Sequence, residues 1–377
     1  MGGASSNTAS AHTSALSQAQ DCLAALAKPV GSLGELEAWA ARLATLQRAE
    51  WVPSPKYPLG QPSASVSSPA LLIFAADHGS LLAQPELSAF PRSSTQTIFR
   101  AIAAGGAASA VLAKANGATL ELVDVGIDAV ETAVVPAVAH VRVRVAKVAR
   151  GCADSSKGPA MTHAQYTVAL AEGAAAVRRA LEGGCNVICV GELGLGNSTA
   201  AAAILCALGG GVAGPDEATG SGTGLDETAR HVKVKFVRHA LDTNRALILA
   251  EGPSGALRAL GGFELVALAG AIIEAARRRV AVIIDGFIAG AAALAAVRIA
   301  PDAASACFIS HTSAERGAAR LCAQLVALGC SAPALALGLR LGEGTGALAV
   351  IGVLRSAAAI FEMITLEEAM QLADHRL

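Results

Sequence analysis

VICVGELGLGNSTAAAAI, residues 187–204, decides how the rest of the chain is read. Its first four residues are apolar and largely β-branched without alternation, as in a strand covered on both faces. The glycine-rich loop GELGLGN follows, and an alanine-rich run then opens a helix. The same order recurs to either side. Apolar runs at 71–76, 120–125, 281–284 and 306–309 each end in Asp, Gly or Ser before a helical stretch. Continuous apolar strands alternating with helices predict an α/β fold with a largely parallel sheet covered by helices. In such sheets ligands bind beyond the carboxyl ends of the strands, where these loops would gather.

Further out, Leu36, Trp39, Ala40, Leu43 and Leu46 have helical spacing within a helix expected over 33–47. Residues 51–70, rich in Pro and Ser, read as a loop. A second glycine-rich stretch at 214–226 precedes a helical pattern over 227–251, with Gly220, Gly222 and Gly224 able to form a backbone cradle. The C-terminal segment from 348 reads as helix with a break near Thr365. It lies far from the last strand in sequence, so pairing with the N-terminal helix would make a small helical subdomain from the two chain ends. The expected division is a disordered extension at 1–20, a helical part at 21–50 and a loop insertion at 51–70. A large α/β unit at 71–347 and a second helical part at 348–377 complete it.

Composition removes several functions. Lys and Arg number 29 against 30 Asp and Glu, so no net field draws the chain to nucleic acid or an anionic membrane. Arg277-Arg278-Arg279 reads as a solvated helix end. No membrane span is expected, because the best apolar stretches at 200–213 and 286–297 fall short of about 18 uninterrupted residues. The eight cysteines show no CxxC pair and no zinc spacing, which points to a reducing, cytoplasmic setting. The Ser-, Ala- and Thr-rich first twenty residues lack acid and arginine, leaving organelle import open.

Two loops stand out chemically. In residues 191–199, GELGLGNST, glycines let backbone approach a phosphate while a helix start supplies unpaired N–H groups. The carboxylate of Glu192 among them is more than a plain turn needs. In residues 340–347, RLGEGTGA, three alternate glycines clear side chains from around Glu343, setting an acid where a flat ligand could meet it. Desolvation there would raise its pKa toward that of a general base. A tight turn with a solvated glutamate is the plainer reading of that stretch alone. Asp285 could cap the helix that follows it, and His78 could be a packing residue or a catalyst.

Taken in order, the stretches KPVGSLGELE (28–37), AADHG (75–79), GGAASAVLA (105–113), GELGLGNSTAAAAI (191–204) and GSGTGLDE (220–227) continue through DGFIAGAAALAA (285–296), HTSAERG (311–317) and RLGEGTGA. This ordered set resembles the nicotinate-nucleotide–dimethylbenzimidazole phosphoribosyltransferases of cobalamin lower-ligand synthesis. The resemblance implies a Rossmann-like large domain, a small helical domain from both chain ends, and a homodimer. It implies no metal and no cofactor, with nicotinate mononucleotide and dimethylbenzimidazole as small-molecule substrates. Glu343 would take the N–H proton of the base while the other ring nitrogen attacks C1′, giving α-ribazole 5′-phosphate and nicotinate. Glu192 would be a substitute base or a contact to ribose hydroxyls. The base pocket carries over to Ser88, Phe90, Gln96 and Leu341. The phosphate and ribose contacts carry over to Leu193, Gly194, Asn197, Ser198, Gly222, Lys233 and Ser313.

The chain departs from the family pattern at Glu35, Cys152, Asp154 and Ala318, and residues 80–87 diverge beside the base pocket, which leaves the range of accepted bases open. A non-catalytic benzimidazole or nucleotide sensor fits those departures, but the intact RLGEGTGA argues against it. An NAD-dependent oxidoreductase fits the sheet pattern, yet no GxGxxG is followed by an acid about twenty residues on.

Overall fold

The protein, represented here by a computed structural model, is described for residues 4–374 except 56, 58, 131–136 and 223. The termini of the expected extension and C-terminal segment, 1–3 and 375–377, lie outside the described residues. Six strands form one sheet: β1 (Pro69–Ala76), β2 (Thr119–Gly126), β3 (Val141–Val145), β4 (Val187–Leu193), β5 (Ala281–Ile284) and β6 (Cys307–Ile309). Every neighbouring pair is parallel and the order is β3-β2-β1-β4-β5-β6. That is the doubly wound order with a topological switch point between β1 and β4. All eight residues of β1 are buried, which is why it reads as an unbroken apolar run. β3, VRVRV, lies at the edge with Arg142 and Arg144 exposed, so its alternation gave no continuous apolar signal.

The helices, in chain order, begin with α1 (Ala4–Ala24) and α2 (Glu35–Leu46), followed by α3 (Ser80–Ala83), α4 (Ser94–Ala103) and α5 (Ala108–Ala115). The middle of the chain supplies α6 (His163–Glu182), α7 (Asn197–Leu208), α8 (Pro215–Ala218), α9 (Glu227–Thr243), α10 (Arg245–Leu260) and α11 (Phe263–Arg277). The last are α12 (Phe287–Ile299), α13 (Ala318–Ala327), α14 (Thr345–Ala349), α15 (Ile351–Ala359) and α16 (Leu366–Asp374). Two expectations change. The supposed disordered extension carries α1: residues 4–24 contain neither Gly nor Pro, and Ala15, Ala19 and Leu23 form a buried stripe at spacing four. The helix expected over 227–251 divides at Asn244, and α10 bends at Gly252, φ 60°, immediately before Pro253.

The chain ends meet. Ala27 N–H donates to Ile364 O at 2.9 Å and Leu366 N–H to Ala25 O at 2.9 Å, making an antiparallel bridge between Leu26 and Thr365. Helix α2 is tied to the β6 edge by Trp39, whose ring meets Phe308 edge-on at 5.2 Å. Arg42 adds hydrogen bonds to the carbonyls of Ala304, Ser305 and Gly329 at 2.8–3.1 Å. Two apolar stretches, Ser94–Ala115 and Thr345–Glu362, have the length and hydropathy to cross a bilayer. Each is broken into shorter helices, and both carry buried polar side chains such as Ser109 and Thr345.

Helices α6 and α11 cover one face of the sheet and touch backbone to backbone. A Cβ at Gly173 would overlap the Ala267 carbonyl oxygen, and one at Gly270 would overlap that of Leu170. Neither neighbour can swing aside, because both are main chain. Gly173→Ala is therefore expected to lower unfolding stability by about 1–3 kcal/mol, read as a reduced urea midpoint at unchanged slope.

Candidate active site

The chemistry-bearing residues cluster where the fold predicts, beyond the carboxyl ends of β1, β4, β5 and β6. The 340–347 loop passes the carboxyl end of β4, with Glu343 in the left-handed region, φ 58°. Its glycines serve close approach and not the open ligand space that their spacing suggests. A Cβ at Gly344 (φ 74°) would overlap Leu71, one at Gly346 would overlap His311, and one at Gly342 would lie 2.5 Å from Glu192 Oε1. From the facing strand, Gly191 has no room for a side chain against Gly344 N. Thr345 Oγ1 closes the turn by donating to Gly342 O at 2.8 Å.

Asp285, at the end of β5, fixes this loop. It does not cap α12, the helix after it; its carboxylate accepts from Gly344 N–H at 3.0 Å, Gly346 N–H at 2.7 Å and Ala347 N–H at 3.2 Å. It thus satisfies the orphan donors at the start of α14. Burial raises the Asp285 carboxyl, while His311 and these three N–H groups pull it down. His311 Nδ1 lies 2.8 Å from Ser310 Oγ, which donates to Asp285 O at 3.1 Å.

Glu343 is 8% exposed and its Oε2 accepts from Ser109 Oγ at 2.9 Å. Burial lifts its carboxyl above the usual range, the Ser109 contact opposes that rise, and Asp285 adds to it. Its backbone N–H donates to Glu192 O at 3.3 Å, so the two acids stand on adjoining backbone. Glu192 is more deeply buried and receives Asn197 Nδ2 on Oε2. Burial, reinforced by Asp285, Glu264 and Glu343, holds its carboxyl well above the ordinary value. A site that desolvates two acids side by side favours a proton acceptor of raised proton affinity.

The expected phosphate residues divide. Ser198, at the start of α7, and Lys233, on α9, come together with Lys233 Nζ donating to Ser198 Oγ at 2.9 Å and to Gly220 O at 3.4 Å. Gly222, φ 52°, passes so close that a Cβ would sit 2.7 Å from Ser198 Oγ and 3.0 Å from Lys233 Nζ. Burial pushes Lys233 down to about 8, with Glu315 working the other way. Arg230 anchors the same cradle through Asp216, Glu227 and the Thr219 carbonyl. Asn197 instead holds Glu192, while Leu193 and Gly194 are half-buried over the end of β1. Ser313 donates to Leu339 O at 3.1 Å, pinning the strand-end loop to the segment before Arg340.

On the base-pocket side, Ser88 Oγ accepts from Phe90 N–H at 3.1 Å, and Gln96 is half-buried on α4. Phe90 and Leu341 are 55% and 59% exposed. Thr95, which no motif singled out, joins this segment to the 191–199 loop. It donates to Asp77 Oδ1 at 2.6 Å and accepts from Leu195 N–H at 3.2 Å. His78 is not aimed at the loops; its Nε2 lies 2.7 Å from Glu264 Oε1 at the start of α11, with both side chains buried. Burial is the largest influence and opposes the imidazolium, but Glu264 and Cys152 together raise His78 well above its ordinary value. Ser109 was also missed, although its stretch 105–113 was conspicuous; nothing in a run of small residues marks one serine as a partner for an acid 234 positions away. Among the described residues no cluster of three or more His, Cys, Asp and Glu could hold a metal ion.

Comparison with known proteins agrees with this geometry. A family profile described as phosphoribosyltransferase matches residues 8–370. The nicotinate-nucleotide–dimethylbenzimidazole phosphoribosyltransferase of Pseudomonas putida KT2440 is 40% identical over 357 residues, covering 94% of this chain and 93% of the relative. The enzyme of that name from Variovorax paradoxus is 41% identical, over 91% of this chain and 89% of its own. The crystal structure of CobT from Thermus thermophilus superposes with a TM-score of 0.82 at 36% identity, covering 94% of this chain and 98% of that one. With its fold and nearly its full length shared, the chain belongs to the nicotinate-nucleotide–dimethylbenzimidazole phosphoribosyltransferase family.

Proposed function

We propose that this enzyme transfers the 5-phosphoribosyl group of nicotinate mononucleotide to dimethylbenzimidazole or a related base, with Glu343 as the proton acceptor. The observation that carries this reading is the buried, left-handed Glu343 on a loop pinned by Asp285, beside a second desolvated acid. One ring nitrogen of the incoming base forms the bond to C1′ of the ribose. The bond from C1′ to the pyridinium nitrogen breaks, and its electron pair neutralises that cation as nicotinate leaves. The N–H proton of the base passes to Glu343. Attack from the face opposite the leaving group converts a β-linked nucleotide into α-ribazole 5′-phosphate. The leaving group is already cationic, so positioning and proton removal are the protein's main tasks.

Lys233, Ser198 and the Gly222 backbone form the phosphate end of this arrangement. A phosphate would add an anionic contact to a lysine that burial depresses and that donates to Ser198 and Gly220. Ser88, Phe90, Gln96 and Leu341 form the base end, and Glu192, held by Asn197, faces the ribose or substitutes as base. The exposed apolar Phe90, Leu337 and Leu341 support a second copy of the chain covering this end, as in a homodimer.

Glu343→Gln should lose about 100-fold or more of kcat while keeping its affinity for nicotinate mononucleotide. Near-normal formation of α-ribazole phosphate, followed by mass detection, would remove the base assignment. Absence of product in the wild type, despite tight binding of both substrates, would favour a sensor. Ser109→Ala removes a contact that stabilises the Glu343 carboxylate, so its carboxyl rises further and the acid limb of kcat/KM moves to higher pH. A Lys233 near 8 is largely neutral above that pH, and a bound phosphate raises it again. Binding of nicotinate mononucleotide at about pH 8.5 should therefore take up protons. Calorimetry in buffers of different ionisation enthalpy reads this, and Lys233→Met should abolish the uptake.

A further inference from the structure

A cavity of about 610 Å³ opens at the end of the sheet opposite the catalytic loops. Asn186 and Val280, which precede β4 and β5, mark its floor, so it lies beyond the amino ends of the strands. This is the wrong end for the ligand site of a doubly wound sheet, and the volume is that of a small-molecule pocket.

Its polar lining is unequal. Asn186 is engaged with Ser65, Ser67 and Ser68, and Gln47 donates to and accepts from Ser65. Arg278 is paired with Glu274. Arg279 differs: among the described residues it has no carboxylate partner, and a single bond to Thr45 O at 2.9 Å uses one of its five N–H donors. Arg48 lines the same cavity, close enough that its charge, after burial, lowers Arg279. Glu50 is the one carboxylate in the lining.

The backbone supplies a second, independent observation. Only two non-glycine residues among those described have positive φ, Glu343 at the catalytic loop and Arg279 at 60°. Arg279 occupies the left-handed position just past the end of α11, where glycine is favoured. Strain of this kind persists where the surroundings or a function demand the side chain. A guanidinium held there, with Arg48 lining the same cavity, can donate to an oxyanion through its planar fork. Trp51, Leu46 and Leu59 provide an apolar wall beside it.

We infer that this cavity is a second ligand site, separate from the catalytic end, that takes a phosphomonoester carried on a flat heterocycle through Arg48 and Arg279. Hydrogen–deuterium exchange and calorimetry on the full chain test it, with adenosine 5′-monophosphate as the probe. Saturable binding should protect residues 45–51 and 278–280, and adenosine and inorganic phosphate should each bind at least tenfold more weakly. Arg279→Gly suits the left-handed backbone and so folds, yet should weaken binding at least tenfold; Arg48→Gln should do the same. Protection confined to residues 193–198 and 220–233 would overturn the second site while leaving the proposed catalytic function standing. Protection at neither place would also overturn it. Unchanged affinity in both variants would remove the arginines' role, and phosphate binding as tightly as the nucleotide would remove the heterocycle from the ligand class.

Discussion

The catalytic end depends on one buried carboxylate. Asp285 gathers three backbone N–H groups from the loop carrying Glu343, and a charge with three well-made hydrogen bonds is a fixed reference point in a low-dielectric interior. Without it, the loop's start would leave orphan donors and Glu343 would have no reason to remain left-handed. The same negative charge raises the proton affinity of Glu343 and Glu192. Burial is the larger cause of that rise, and Asp285 contributes to both positioning and pKa tuning.

The remaining networks repeat this logic at lower stakes. Thr95 and Asp77 join the base-pocket segment to the 191–199 loop, and Arg230 braces the turn beneath Lys233. The Thr95 link joins the loops that follow β1 and β4, whereas Arg230 braces a single connection between β4 and β5, so hydrogen bonds add to apolar packing in registering the pocket. Apolar packing dominates below the strand ends, where β1 is buried throughout and α6 and α11 approach at glycine.

Much of the fold was legible because a strand buried on both faces shows as an unbroken apolar run. β3 escaped because an edge strand alternates, and α1 escaped because a Ser- and Ala-rich helix resembles a disordered leader until its buried stripe is seen. At the site, Glu343, Glu192, Ser198, Gly222 and Lys233 were found through motifs. Their wiring was not. Ser109, Thr95 and the true role of Asp285 act across 234, 100 and about 60 positions of sequence, and such partnerships leave no local pattern. The alternate glycines were seen at once, but one sequence cannot say whether missing side chains make room for a ligand or for the protein's own backbone.

The sheet's two borders have a consequence for how the molecule can associate. β3 presents Arg142 and Arg144 outward, and Arg144 is held by Glu172 at 2.8 Å. β6, at the other border, is three residues long, and the adjoining His311 is already bridged to Leu335. Unpaired strand edges invite another chain to continue the ladder, and guanidinium charge or brevity discourages it. The sheet is thus a closed set of six strands in practice. Two copies cannot merge their sheets without first displacing those groups, which leaves helices and loops as the surfaces through which copies of the chain can meet.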